Sequence, residues 1–155
     1  MSLLMTGRFW IELVVAAVST VAFSVLFYVP RKYYPLNGFC GALGWAVYLI
    51  LMKSGQTSVT ATFVATLAVI FASRLLAVVE RCPATLFLIP GIFPLIPGIT
   101  IYKTAYHVVT NDLGLALDTG FLAVKLVCVI VLAIIFIFEI PQSFFFKLVN
   151  FAKRS

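Results

Sequence analysis

Two ionisable side chains inside one long apolar segment are the first candidates for chemistry. Lys125 lies near the middle of residues 115–138, which are otherwise mostly apolar, and Asp118 lies seven residues earlier on the same helical face. If this segment spans a bilayer, Lys125 is about 15 Å deep, where a cation costs at least about 2.5–3.5 kcal/mol unless it is paired or hydrated. Asp118 is about 10 Å away along the helix axis, too far for a direct ion pair. We therefore expect Lys125 to face a polar cavity and attract a carboxylate group; the alternative is a structural cation bonded to carbonyls of a neighbouring or partner helix.

The other titratable residues indicate no catalytic site. His107 is the single histidine and, with Asp118, is a candidate for carrying a coupling proton; the alternative is an interfacial histidine without a special role. We interpret Glu12 and Glu139 as carboxylates at the membrane boundary. The sequence has no paired acids on one helix, no His-x-x-x-His pair, no nucleophile elbow and no phosphate loop, and its three cysteines lack metal-binding or redox spacing. We predict neither an enzyme nor a bound cofactor or metal.

Residues 90–98, Pro-Gly-Ile-Phe-Pro-Leu-Ile-Pro-Gly, combine helix-breaking residues with an apolar setting, since no charged residue occurs from 84 to 101. Each proline removes a backbone donor and clashes with the preceding turn, so a continuous helix is not expected. In a membrane such backbone is tolerated only where it is buried in protein or lines a wet cavity. A helix that stops near Ile89 would offer carbonyls to an ammonium group, and one that restarts at Gly98 would offer N–H groups to an anion. The alternative is a kinked structural helix.

The elements that must position these residues are membrane-spanning helices. Of the 155 residues, 63% are hydrophobic and 10% are charged, whereas soluble domains have about 25% charged residues. We therefore predict a single transmembrane domain in a lipid bilayer, with a bundle too thin to surround a substrate path without self-association or a partner. The net charge of +6 comes from Lys and Arg scattered between apolar runs. This argues against a nucleic-acid-binding protein and fits loop cations that set membrane orientation.

The apolar runs predict an all-α integral membrane protein with about five transmembrane helices, the fourth broken by the proline- and glycine-rich segment. The predicted spans are residues 9–28, 36–52, 58–79, 84–109 and 115–138, followed by a basic, aromatic tail over residues 141–155. Five spans place seven Lys and Arg residues on one side of the membrane and three on the other. Because basic residues concentrate on the cytoplasmic side, we expect the N-terminus outside and the C-terminus in the cytoplasm. A re-entrant hairpin in place of the fourth span would weaken this bias.

The run Pro90-Gly91-Ile92-x-Pro94-Leu95-x-Pro97-Gly98, followed by Tyr102, resembles the threonine/serine exporter family, specifically its small membrane-only subunit. Val29-Pro30-Arg31, followed by Gly41-Ala42-Leu43-Gly44-Trp45, is similar to the family's first loop and second helix. The resemblance implies a bacterial inner-membrane exporter that works with a larger partner subunit and draws on the proton gradient. The substrates it implies are threonine and serine, or dicarboxylates such as succinate for some members.

Together these patterns predict the small subunit of a secondary exporter for small hydroxy amino acids, with alternating access around the broken fourth span. The alternatives are a dicarboxylate exporter subunit and a non-transporting scaffold or regulatory subunit, and a homo-oligomer is the alternative to a larger partner. The candidate substrate-binding residues are Lys125, Pro90, Gly91, Pro94, Pro97, Gly98 and Tyr102, and the candidate proton-coupling residues are Asp118 and His107.

Overall fold

The computed structural model describes residues 7–152, and the regular structure in this range is helical throughout, without strands. Among these residues, four helices are long and apolar enough to cross a membrane, or five if the bent pair Thr85–Leu95 and Gly98–Val109, at 48° to each other, counts as one span. This confirms the prediction of an all-α membrane protein with about five spanning helices. The helices are α1 (Gly7–Leu26), α2 (Tyr34–Lys53), α3 (Ser58–Glu80), α4 (Thr85–Ile92), α5 (Gly98–Val109), α6 (Leu113–Glu139) and α7 (Gln142–Ala152), with 3-10 turns at Arg31–Tyr33 and Phe93–Leu95.

A chain of buried polar groups joins α1 to α2. The Ser24 hydroxyl donates to the Thr20 carbonyl and accepts from the Asn37 side-chain amide, each at 2.8 Å. A Cβ added at Gly41 would lie 2.7 Å from the Thr20 Cβ, so the glycine is required for this close approach. Small residues and short polar side chains hold membrane helices together in this way.

Val69 of α3 is enclosed by glycines of two other helices. Its side chain lies where a Cβ on Gly44 of α2 would be, and its Cγ1 is 2.9 Å from the Cβ position of Gly91 in α4. Val69 is fully buried, and its branched side chain is stiff about χ1. The packing of α2, α3 and α4 therefore depends on the absence of side chains at both glycines.

The helix break lies at Ile96 and Pro97. The predicted stop near Ile89 is wrong, because α4 continues through Pro90 and Gly91 to Ile92 and passes into the 3-10 turn Phe93–Leu95. Ile96 is the residue that leaves helical geometry, with φ −64° and ψ 130°. The conformation follows from the clash between Pro97 Cδ and the preceding residue, which disfavours a helical Ile96. The predicted restart at Gly98 agrees with the start of α5.

Helix α5 packs mainly against α6, and none of its twelve residues is buried. The later part of α6, by contrast, packs on α3 and buries Leu126, Ile130, Ala133 and Ile137. The bend of 48° turns α5 away from the direction of α4. An opening results beside the break.

Arg74 of α3 fixes the end of α6. Its Nη1 donates to the carbonyls of Ile137 and Ile140, the latter at 2.8 Å, and its guanidinium lies 4.4 Å from the ring centroid of Phe145 in α7. The last carbonyls of a helix lack intrahelical donors, so Arg74 supplies the donor for the Ile140 carbonyl and adds a second donor to the Ile137 carbonyl, which also accepts from the Ile140 N–H at 3.3 Å. The predicted tail contains α7, while its residues 153–155 lie outside the described range.

Candidate functional site at the helix break

Two neighbouring cavities meet at the helix break. The first, here named the Glu12 cavity, has a volume of about 300 Å³ and is open at the surface. The second, named the break cavity, is smaller, at about 170 Å³. Trp45 and Pro94 line both. The Glu12 cavity is otherwise lined by Ile11, Glu12, Val15, Ala16 and Ser19, and the break cavity by Tyr48, Thr62, Leu95, Ile96, Pro97, Gly98, Ile99, Thr100 and Leu126.

Glu12 is the charged residue of the first cavity. Its carboxylate accepts from Arg8 Nε at 3.1 Å and from Trp45 Nε1 at 3.4 Å, and its side chain is 30% exposed. The two antiparallel helices α1 and α2 bring Glu12 and Trp45 together from positions 33 residues apart. Sequence reasoning interpreted Glu12 as a boundary carboxylate and missed its place in a cavity, because the only relevant signal was an indole on the glycine-rich face of α2.

The break cavity offers backbone N–H groups at the start of α5. The Gly98 N–H donates to the Ile96 carbonyl at 2.7 Å and the Ile101 N–H to the Pro97 carbonyl at 3.0 Å, while no side chain caps this helix. Ile99 and Thr100, both in the lining, belong to the first turn, where N–H groups have no intrahelical acceptor. Together with the positive end of the helix dipole, they suit an anionic group.

Hydroxyl and aromatic groups complete the break cavity. Tyr48 stacks on Trp45 with ring centroids 5.1 Å apart, and the hydroxyl residues Thr62 and Thr100 come from α3 and α5. The cavity is thus bounded by α2, α3, α6 and the break itself. Such a lining could bind a small polar molecule between an aromatic wall and hydrogen-bonding groups.

The predicted residues of the proline-glycine run fall into two groups. Pro94, Pro97 and Gly98 line the break cavity. Pro90 and Gly91 are buried in the packing of α4, with Gly91 against Val69 and Cys40, and they line neither cavity. Tyr102 is 69% exposed on α5, one turn beyond the break cavity.

The predicted ionisable residues lie away from both cavities. Lys125 and Asp118 are exposed on α6, and within residues 7–152 neither side chain has a hydrogen bond or ion pair. His107 is half-buried on α5, with its ring 5.6 Å from that of Tyr106. Lys125, Asp118 and His107 therefore belong to the lining of neither cavity. Among the described residues, no group of three or more His, Cys, Asp and Glu side chains could hold a metal ion.

Comparison with known proteins finds a matching family and a similar protein. The sequence model described as "Threonine/Serine exporter, ThrE" matches residues 12–140. A protein of Mycobacterium tuberculosis described as "Probable threonine/serine exporter" is 28% identical over 97 residues, which are 63% of this chain and 18% of that protein. The chain therefore spans less than a fifth of the relative's length in the matched part. No solved structure matches.

Proposed function

Because this chain belongs to the threonine/serine exporter family, we propose that it forms part of the path by which small hydroxy amino acids leave a bacterial cell across the inner membrane. The observation that carries the proposal is that two cavities share the lining residues Trp45 and Pro94. One contains the Glu12 carboxylate, and the other contains the free N–H groups of the α5 start. A zwitterion has both groups that these cavities would recognise.

Each part of an amino acid has a suitable partner at this site. The ammonium group would bind the Glu12 carboxylate and replace Arg8 and Trp45, which now donate hydrogen bonds to that carboxylate. The carboxylate would accept from the N–H groups of Ile99 and Thr100, as anions do at helix N-termini. A substrate hydroxyl would then pair with the hydroxyl groups of the break cavity.

Glu12 also favours an amino acid over a dicarboxylate. A second substrate carboxylate at the Glu12 cavity would meet the like charge of Glu12, which repels it. Lys125, which could attract a carboxylate of either substrate, is in the lining of neither cavity and so offers no cation to balance a second carboxylate there. We therefore propose threonine- and serine-type substrates.

The transport step would use the break as a hinge. We propose that α4 and α5 form one broken span and that the extended Ile96 absorbs the change of angle between inward- and outward-open states. Export would be secondary and proton-coupled, with Asp118 and His107 as the candidate proton carriers. Hinges of this kind are a few terminal residues that take up large backbone changes.

A larger partner subunit is part of the proposal. One support is the relative's length, since the matched part of the chain accounts for 18% of that protein. The other is the thinness of the bundle, because residues 7–152 contain at most five spans. The N-terminus would face the outside and the C-terminus the cytoplasm, in agreement with the distribution of basic residues.

The test is the export of threonine by a host strain that lacks this chain and is complemented with variants. We expect Glu12→Gln to lower the efflux of preloaded labelled threonine about 10- to 100-fold, because a hydrogen bond to a charged group contributes about 1.5–3 kcal/mol. Glu139→Gln is the matched control, since Glu139 is an exposed carboxylate at the far end of α6. Wild-type efflux by Glu12→Gln at normal membrane levels would remove Glu12 from the site. Inhibition by excess internal succinate but not serine would instead support a dicarboxylate exporter.

A further inference from the structure

One face of α6 is exposed along the helix, and no helix of residues 7–152 covers it. The residues Asp118, Phe121, Lys125, Cys128, Leu132 and Ile135 alternate at spacings of three and four, and all six are exposed. We name these six residues the α6 outer face. Spacings of three and four place side chains in one seam along a helix. The buried residues of α6, such as Leu126 and Ile130, lie on the other side of the helix.

Lys125 is the residue of this face whose charge is unfavourable in contact with lipid. It is the thirteenth of the 27 residues of Leu113–Glu139, about 18 Å from one end of the helix and about 21 Å from the other. Its four-carbon stem can reach only part of the way across half of a hydrocarbon core about 30 Å thick. No described residue pairs with its ammonium group. Ionisable residues at this depth face a bundle interior or a partner rather than lipid.

The charges on the face determine what can cover it. In a parallel two-fold dimer of this chain, Lys125 would meet Lys125 and Asp118 would meet Asp118, and both contacts are repulsive. An antiparallel copy would reverse the distribution of basic residues that orients the chain in the membrane. A carboxylate at the depth of Lys125 satisfies the ammonium group without either conflict.

We propose that the α6 outer face docks a transmembrane helix of another protein, and that this helix carries a carboxylate at the depth of Lys125. Asp118, about 8 Å from the start of α6, lies near the membrane boundary, where water can reach it. The proposal assigns Lys125 to assembly instead of substrate binding. It rests on α6 spanning the bilayer and not on the transport proposal, so the two can fail separately.

Direct binding of defined helices tests the proposal without any transport measurement. The probes are synthetic leucine-rich transmembrane peptides with Glu, Gln, Lys or Leu at the central position, each labelled with a fluorophore. The full chain, labelled at its terminal amine, is placed with each peptide in lipid vesicles, and association is measured by energy transfer. We expect the Glu peptide to bind at least about tenfold more tightly than the Leu peptide, with the Lys peptide the weakest.

Variants then locate the binding face. Lys125→Met should abolish the preference for the Glu peptide, and Lys125→Glu should reverse it in favour of the Lys peptide. Lys103→Met is the matched control, because Lys103 is an exposed lysine on α5, and it should leave the preference unchanged. Equal binding of all four peptides, or a preference for Glu that survives in Lys125→Met, would overturn the proposal.

The exposed Cys128 on the same face tests for the competing occupant, a second copy of the chain. Mild oxidation of the chain alone in vesicles should give no dimer linked through Cys128. A dimer linked in this way would form in the wild-type chain and be absent in Cys128→Ser. Such a dimer would show that two copies meet through the α6 outer face and would overturn the proposal.

Discussion

The two glycines of the repeated Pro-Gly-Ile motif should respond in opposite ways to the same substitution. A Cβ on Gly91 would lie 2.9 Å from Val69 Cγ1 and 3.3 Å from Cys40 Cβ. A Cβ on Gly98 would have no atom within 4 Å. Local sequence is nearly the same at the two sites, so a difference between Gly91→Ala and Gly98→Ala measures tertiary packing.

The expected sizes follow from these contacts. Overpacking of a filled core costs about 1–3 kcal/mol, so Gly91→Ala should destabilise the chain by that amount. Gly98→Ala should be neutral or stabilise by up to about 1 kcal/mol, because alanine reduces the freedom of the unfolded chain. Val69→Ala removes the methyl group that obstructs Gly91→Ala, although by itself it costs about 1–3 kcal/mol.

The assay is a double-mutant cycle on the free energy of unfolding of the purified chain in mixed micelles. If Val69 and Gly91 interact as described, the double variant should be less destabilised than the sum of the single variants by at least about 1 kcal/mol. Additivity within about 0.5 kcal/mol would refute the steric account. Equal destabilisation by Gly91→Ala and Gly98→Ala would refute it as well.

Two further predictions concern the end of α6 and the orientation of the chain. Arg74→Met leaves the Ile140 carbonyl without its donor and removes one of the two donors to the Ile137 carbonyl, so it should destabilise the α6–α7 junction by about 1.5–3 kcal/mol, seen as faster proteolysis there. Arg81→Met, at an exposed position, is the control, and equal rates would contradict the assignment. In a chain without other cysteines, Gly55→Cys should react with an impermeant maleimide added to intact cells, whereas Gln142→Cys should react only after permeabilisation. The opposite pattern would reverse the proposed orientation.

The fold class was predictable because it depends on local composition. Apolar runs of spanning length occur at intervals along the chain, and a helix is the structure that pairs all backbone groups of a single segment in lipid. The predicted ends of the helices were less accurate than the predicted fold class. Helix α2 begins at Tyr34 instead of residue 36, because Pro35 fits the first turn, where its missing N–H would have no acceptor.

The candidate site was only partly predictable because it joins distant positions. The start of α5 at Gly98 follows from a local signal, and Gly98, Pro94 and Pro97 line the break cavity. The contact between Glu12 and Trp45 depends on how α1 and α2 are paired. Lys125 could be placed at mid-depth from its position in α6, but its direction, away from both cavities, depends on which face of α6 packs on α3.

By itself, the sequence determined that the backbone breaks within residues 90–98, since three prolines and two glycines cannot continue a membrane helix. Only the tertiary structure decided before which proline the helical geometry ends. Phe93 and Ile89 precede prolines yet remain in helical turns, and α4 is held there by the contact of Gly91 with Val69. At Ile96 no such packing opposes the steric preference before Pro97, since Gly98 has open space around it. The break, and with it the cavity, therefore forms at the proline step where packing does not enforce a helix.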